Sequence, residues 1–424
     1  MLNKTYQQLI EEQLKSYPHK DVMRSIQEDY RWTFADVLKH QDSVAAGILD
    51  WTTKREPYAV SLPLRAEAIM SQLGTARAVV PLALLKPGVE DEVLESQLKA
   101  VNPSLFVWPA RIHKTVQLDQ IYRLFPRLNH YPSTVPIYDK RFPALRFILQ
   151  LSRQDLDGLY AYGDSLLPGV KEGVNRVAKD NLPSNPNTII VNDEYKQVLF
   201  SQHNLINTGY LTGHRAGLNE EDIVLTTLQP STTAGLSLGV GLALSHKLKL
   251  VWGHELFEEE ATLSDLESDY CTVLLIQPNN LQRLLNKLNT KNLPTNLRKI
   301  IVVSSPGDLP TENLLTQVRE KIGAKVMVAF GTNETGGVIT TTSFECPDVL
   351  NLVGKALPHT HIQIVDKNGK QLPVDTPGEL TVKGFNVTSG FLNDPEYTNK
   401  KIKNGYLQTG ITAKIDQNNN LFIL

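Results

Sequence analysis

Cysteine is almost missing from this chain, with only Cys271 and Cys346 among 424 residues. A disulfide framework is therefore excluded. Neither cysteine belongs to a Cys-x-x-Cys or Cys/His cluster, so both read as small buried apolar residues. An excess of one charge is missing too. Lysine and arginine number 43 against 45 aspartates and glutamates, a formal net charge of −2 with no basic stripe. Nucleic acid is not an expected partner. Long apolar runs are also lacking. The longest, Ala234 to Leu244, carries three glycines and falls far short of the roughly 20 residues that span a bilayer, so no transmembrane segment is expected. The first twenty residues hold Glu11 and Glu12 and no apolar core, which predicts no secretory signal.

Several chemistries lack their motifs. There is no Walker A loop and no Gly-x-Gly-x-x-Gly after an expected strand. Gly163-Asp164-Ser165 lacks the second glycine of a hydrolase elbow. His359 and His361 fall on one face of an expected strand but have no third ligand, so no metal site is expected.

What is there reads as an ordinary globular chain, 41% apolar and 21% charged, with length for roughly three domain-sized units. Short apolar strands alternate with helical runs. Strands are predicted at Tyr58 to Leu62, Ser104 to Trp108, Thr188 to Val191, Ile223 to Leu228, Lys249 to Trp252, Thr272 to Ile276 and Lys299 to Val303. Helices are predicted over Ala66 to Ala78, Asn279 to Leu288 and Pro310 to Ile322. Such alternation predicts parallel sheets covered by helices. After Leu352 the period becomes two, with turns at Asp366-Lys367-Asn368-Gly369 and Gln417 to Asn420, which predicts a small antiparallel sheet or barrel.

The tail also carries motifs in a fixed order: Phe330-Gly331-Thr332-Asn333-Glu334, Pro377-Gly378-Glu379-Leu380, Gly390 to Thr398, and Asn404-Gly405-Tyr406-Leu407-Gln408-Thr409-Gly410-Ile411. Together these resemble the acyl-adenylate-forming, or AMP-binding, superfamily of acyl-CoA synthetases, luciferases and adenylation domains. Trp32-Thr33-Phe34 resembles that family's helix entry, and Gly354 to Pro358 its Gly-x-Pro-x-Pro. The resemblance implies an α/β protein: a first α/β unit over residues 1–185, a second over 186–350, and a small antiparallel β-barrel over 351–424. It further implies that the family's mobile C-terminal domain is absent after Leu424.

The resemblance also assigns a degenerate nucleotide site. Ser201 to Leu205 resembles the helix start after the family's phosphate loop, and Val191 to Gln197 a shortened loop without glycine. Asp193 and Glu194 would repel phosphate there, and Lys196 echoes the loop lysine or is simply solvated. Phe330 and Gly331 match the adenine-stacking aromatic and its glycine. Asn333 stands where a threonine reaches the α-phosphate, and Glu334 matches the magnesium-holding carboxylate. Thr409 matches its motif, but Ile411 replaces the aspartate that accepts both ribose hydroxyls. The site is thus expected to be vestigial for ATP and magnesium, with no cofactor, no bound metal and no catalytic residue.

The resulting expectation is a catalytically inactive relative of acyl-CoA synthetases, a structural or accessory subunit held in a stable protein complex, on the mitochondrial matrix side or in the cytoplasm. The alternative is a module binding an acyl chain, acyl-CoA or adenylate, supported by Phe330, Gly331, Glu334 and the glycine-rich Ala234 to Gly241. A third reading is an active acid–thiol ligase completed by another chain.

Overall fold

The computed structural model describes residues 1–424 except 53–55, 114, 131, 133–134, 153–154, 170–171, 193, 289–295 and 346–349. Cys346 and Asp193 therefore lie outside the described residues. Cys271 is buried and free, as its apolar surroundings predict.

Two sheets organise the chain. A seven-stranded sheet runs in the spatial order 197–201, 186–191, 82–84, 58–60, 105–108, 147–150 and 160–161. All its neighbours are parallel except the first pair. The larger sheet has a parallel centre made of 325–330, 299–304, 273–276, 223–226, 249–252 and 21–25. Its strands read as unbroken apolar runs because both faces are covered; Val273–Ile276 is buried at every residue. Every residue of the helix Ala66–Ala78 except Glu67 is buried, and the helix shares one apolar cluster with Val60 and Leu250 from the two sheets. Among its buried polar residues, Gln72 donates to the Tyr6 hydroxyl and Arg77 to Asp42.

Helix boundaries follow local chemistry. Thr33 caps the helix Phe34–Trp51 through a reciprocal bond with Asp36. Thr311 caps Glu312–Ile322, which ends at Gly323 with φ of 71°. These are the side-chain acceptor and the left-handed glycine that helix ends require.

The tail takes the antiparallel form expected of it, as an open sheet. Strands 360–365, 378–384, 406–415, 421–423 and 352–356 form an antiparallel run, and no closed barrel is found among the described residues. The run is bonded to the parallel sheet through the two-residue strand Thr340–Thr341. The ends of the chain pack on its own body. Leu2 exchanges hydrogen bonds with the Asn207 side chain at 2.6 and 2.9 Å, and the Leu424 N–H donates to the Thr412 carbonyl at 2.9 Å.

Candidate active site

The strand Lys325–Phe330 ends in a turn that carries most of the expected site. Gly331 leaves the strand with its N–H on the Ser304 carbonyl. Thr332 then caps the single helical turn Asn333–Thr335 by a reciprocal bond with Thr335. Gly337 closes the turn at φ of 87°, and a Cβ there would lie 2.4 Å from the Ala234 backbone. Gly337→Ala is expected to cost about 2 kcal/mol or more, from a strained φ and a backbone clash. A urea midpoint unchanged from the parent would refute this account of the turn.

Glu334 is half-buried. Its carboxylate accepts the Asn192 side-chain amide at 3.2 Å, and its carbonyl accepts the Thr388 N–H at 2.9 Å. Asn192 is itself the organiser of the loop between the strands Pro186–Val191 and Gln197–Ser201. Its side-chain amide oxygen accepts the N–H groups of Glu194 and Lys196 at 3.1 and 2.9 Å. The shortened loop is therefore built, and it faces Glu334.

Lys196 is not a merely solvated lysine. Its ammonium meets the Asp394 carboxylate at 2.6 Å and lies 4.7 Å above the Tyr397 ring. Hydrogen bonding from Lys196 holds the Asp394 carboxyl below the usual aspartate range. The Tyr397 hydroxyl donates to Glu194 at 2.6 Å, which fixes the position of that carboxylate without removing its charge. Burial, then Glu194, pushes the Tyr397 hydroxyl up, with Glu334 and Asp394 adding to it.

Asn333 turns away from this cluster; its side-chain oxygen accepts from the Thr233 hydroxyl at 3.3 Å. Thr233 opens a short helix that widens into a π-helical turn at Ser237–Gly241, a distortion often found at functional positions. Ser237 ties that turn to the site by donating to the Gly336 carbonyl at 2.8 Å.

The remaining positions face the interior. Phe330 is fully buried and shares a cluster with Ile339, Leu380, Val382 and Ile411. Ile411 is 9% exposed. Thr409 donates its hydroxyl to the Leu380 carbonyl at 2.6 Å and accepts the Ile411 N–H. Phe330, Thr409 and Ile411 thus belong to packing of the antiparallel run, while Lys196, Asn192, Glu334 and the Gly331 turn converge on one polar surface. Sequence reasoning missed Asn192, Asp394 and Tyr397 as members of that surface. The signal lay in the Gly390 to Thr398 motif, which places Asp394 and Tyr397 opposite the loop.

Among the described residues no cluster of three or more metal-binding side chains occurs. Glu334 fits magnesium only in the mode where one protein carboxylate is joined by substrate phosphate oxygens. Glu194, Glu334 and Asp394 gather around Lys196, and the Lys401 ammonium lies 5.8 Å from the same Tyr397 ring.

Comparison with known proteins identifies the family. The AMP-binding enzyme family model matches residues 10–157 and 194–392, and the chain belongs to that family. The zebrafish (Danio rerio) mitochondrial medium-chain acyl-CoA ligase ACSF2 is 25% identical over 430 residues, covering 97% of this chain and 70% of the ligase. The acyl-CoA ligase sidI of Aspergillus fumigatus is 25% identical over 91% of this chain and 66% of its own length. Among solved structures, ATP-bound MatB from Rhodopseudomonas palustris superposes with a TM-score of 0.79 at 20% identity, over 100% of this chain and 78% of that one. The fold is theirs.

These findings overturn the expected non-catalytic protein. The matching family is one of enzymes, and relatives spanning nearly the whole chain are ligases. Departures at single motif positions do not outweigh that. The structural-subunit role expected from the sequence falls with it, since neither the fold nor the relatives carry one. No described helix is long and apolar enough to cross a membrane.

Proposed function

We propose that this protein is an acyl-CoA ligase that activates a carboxylic acid with ATP and transfers the acyl group to coenzyme A. One observation carries the reading: Glu334, Asn192 and the Lys196 loop converge on one surface in a chain related to acyl-CoA ligases along nearly its whole length. In the reaction a carboxylate oxygen bonds to the α-phosphorus of ATP and pyrophosphate leaves. The thiol sulfur of coenzyme A then bonds to the acyl carbon, AMP leaves, and the thiol proton goes to solvent. Magnesium, held by Glu334 with phosphate oxygens, would neutralise phosphate charge. Lys196 would exchange Asp394 for the phosphates, and the backbone of the Asn192 loop would border them.

The acid would lie beside the π-helical turn, which Ser237 ties to the Glu334 turn through the Gly336 carbonyl; the similarity to a medium-chain acyl-CoA ligase supports an aliphatic acid as the substrate. The mitochondrial relative supports the mitochondrial half of the expected location.

The test is direct. With ATP, magnesium, coenzyme A and straight-chain acids of graded length, pyrophosphate release should depend on the acid, and mass spectrometry should show the thioester. Release that stays at the acid-free background for every chain length overturns the proposal.

A further inference from the structure

Glu334 lies in a turn with little stiffness of its own. Gly336 and Gly337 both take left-handed φ, 62° and 87°, and glycine is the residue with the most backbone freedom to lose. The turn's internal bonds converge on one atom: the Thr332 carbonyl accepts the Thr335 and Gly337 N–H groups at 3.1 and 3.2 Å. What fixes the turn in place must therefore come from its neighbours.

The helix that starts at Thr233 supplies that restraint. Thr233 and Ser237 are four residues apart and share one helix face, and both are fully buried. The Thr233 hydroxyl donates to the Asn333 side-chain oxygen at 3.3 Å, with the Thr332 carbonyl at 3.4 Å, and the Thr233 N–H reaches the same Asn333 oxygen at 3.4 Å. One turn later the Ser237 hydroxyl shares its proton between the Thr233 carbonyl at 2.9 Å and the Gly336 carbonyl at 2.8 Å. The two hydroxyls thus meet the turn before and after Glu334. Between them the backbones touch, since a Cβ on Gly337 would lie 2.4 Å from the Ala234 backbone.

A hydroxyl in a helix has a partner ready in the carbonyl one turn back. Ser237 uses it and still reaches Gly336, while the Thr233 hydroxyl is directed across to the turn. Buried hydroxyls are costly to leave unmade, so both bonds hold their geometry firmly. We propose that Thr233 and Ser237 are positioning residues of the candidate site, a pair of buried hydroxyls that hold the turn on both sides of Glu334 and so fix where its carboxylate points. Its effect on turnover rests on the ligase reading; its effect on the turn's mobility does not.

Thr233→Val and Ser237→Ala each remove one hydroxyl with little change in volume, and Thr233→Ser keeps it. Three measurements on these variants and the parent decide the matter: acid-dependent pyrophosphate release across a magnesium titration, urea midpoints, and hydrogen exchange of the amides 333–337 followed by mass spectrometry. The valine and alanine variants should each exchange the turn amides about tenfold faster. Each should also lower kcat about tenfold and raise the magnesium concentration for half-maximal rate. Thr233→Ser should stay within about twofold of the parent. A packing role alone would move the urea midpoint and leave kcat of the folded protein and the magnesium midpoint where they were. Should one variant fail to fold, the other decides. Turn exchange or kcat unchanged in the folded variants, or a Thr233→Ser variant as impaired as Thr233→Val, overturns the proposal. A parent without acid-dependent release, whose variants nonetheless show the faster turn exchange, overturns the ligase reading and leaves the clamp standing.

Discussion

Glu334→Gln is expected to lower acid-dependent pyrophosphate release about a hundredfold or more, equivalent to about 2.7 kcal/mol of transition-state stabilisation. Glu334 is the carboxylate that the Asn192 loop and the Gly331 turn present together. Glutamine keeps its size and can still bond the Asn192 side chain after an amide rotation. It loses the charge that would hold magnesium beside the phosphates, and a neutral amide is a poor substitute in a site of hard oxygen ligands. The fold should scarcely notice. Glu334 is half-buried and its backbone bonds remain, so stability should stay within about 0.5 kcal/mol of the parent. Initial rates across a magnesium titration, set beside urea midpoints, separate the two effects. A variant that turns over at the parent rate would remove Glu334 from the site and leave the Lys196 loop without a role.

Local chemistry made much of this fold legible. The strands Leu105–Trp108 and Val273–Ile276 are apolar throughout because helices cover both faces. The helix Ala66–Ala78 carries the expected bounds. The turn after Val365 is spelled by Asp366, whose carboxylate accepts the N–H groups of Asn368 and Lys370, and by Gly369 at φ of 79°. Each of these signals is contained within a few residues.

What was not legible depends on distant pairing. The hairpin 21–33 joins the large sheet by pairing with Lys249–Trp252, more than two hundred residues away. Thr340–Thr341 connects the tail to that sheet with only two residues, too short to carry a period of its own. The closed barrel was expected because alternation shows that a strand has one buried face but not where the outermost strand ends up. The site shows the same limit. Lys196 and Asp394 are 198 positions apart, and nothing near Lys196 in sequence says that a carboxylate and a tyrosine ring will receive it. Judging motif positions one at a time therefore overstated the loss. The shortened loop looked empty of function, whereas the fold holds it on Asn192 and sets it against Glu334.

Ile411→Asp is expected to destabilise the protein by about 3 kcal/mol or more, rather than to improve the nucleotide site. The resemblance suggests restoring an aspartate here, but the surroundings of Ile411 are Phe330, Leu380, Val382 and Leu407. Removing a buried isoleucine forfeits about 2–3 kcal/mol of burial. The incoming carboxylate would sit in an apolar cluster whose described members offer no cation, so its folded-state pKa must rise. An acid whose pKa is raised on folding costs nothing below its unfolded value and progressively more above it. The deficit should accordingly be larger at pH 7 than at pH 4. Ile411→Val supplies the control, since trimming one methylene should cost only about 0.5–1.5 kcal/mol and show no such pH dependence. Urea unfolding of the three proteins at both pH values measures this, with ATP titrated into each folded form. Should Ile411→Asp match the valine variant at pH 7 and bind ATP more tightly, the position opens onto the nucleotide and the packing role assigned to Ile411 is wrong.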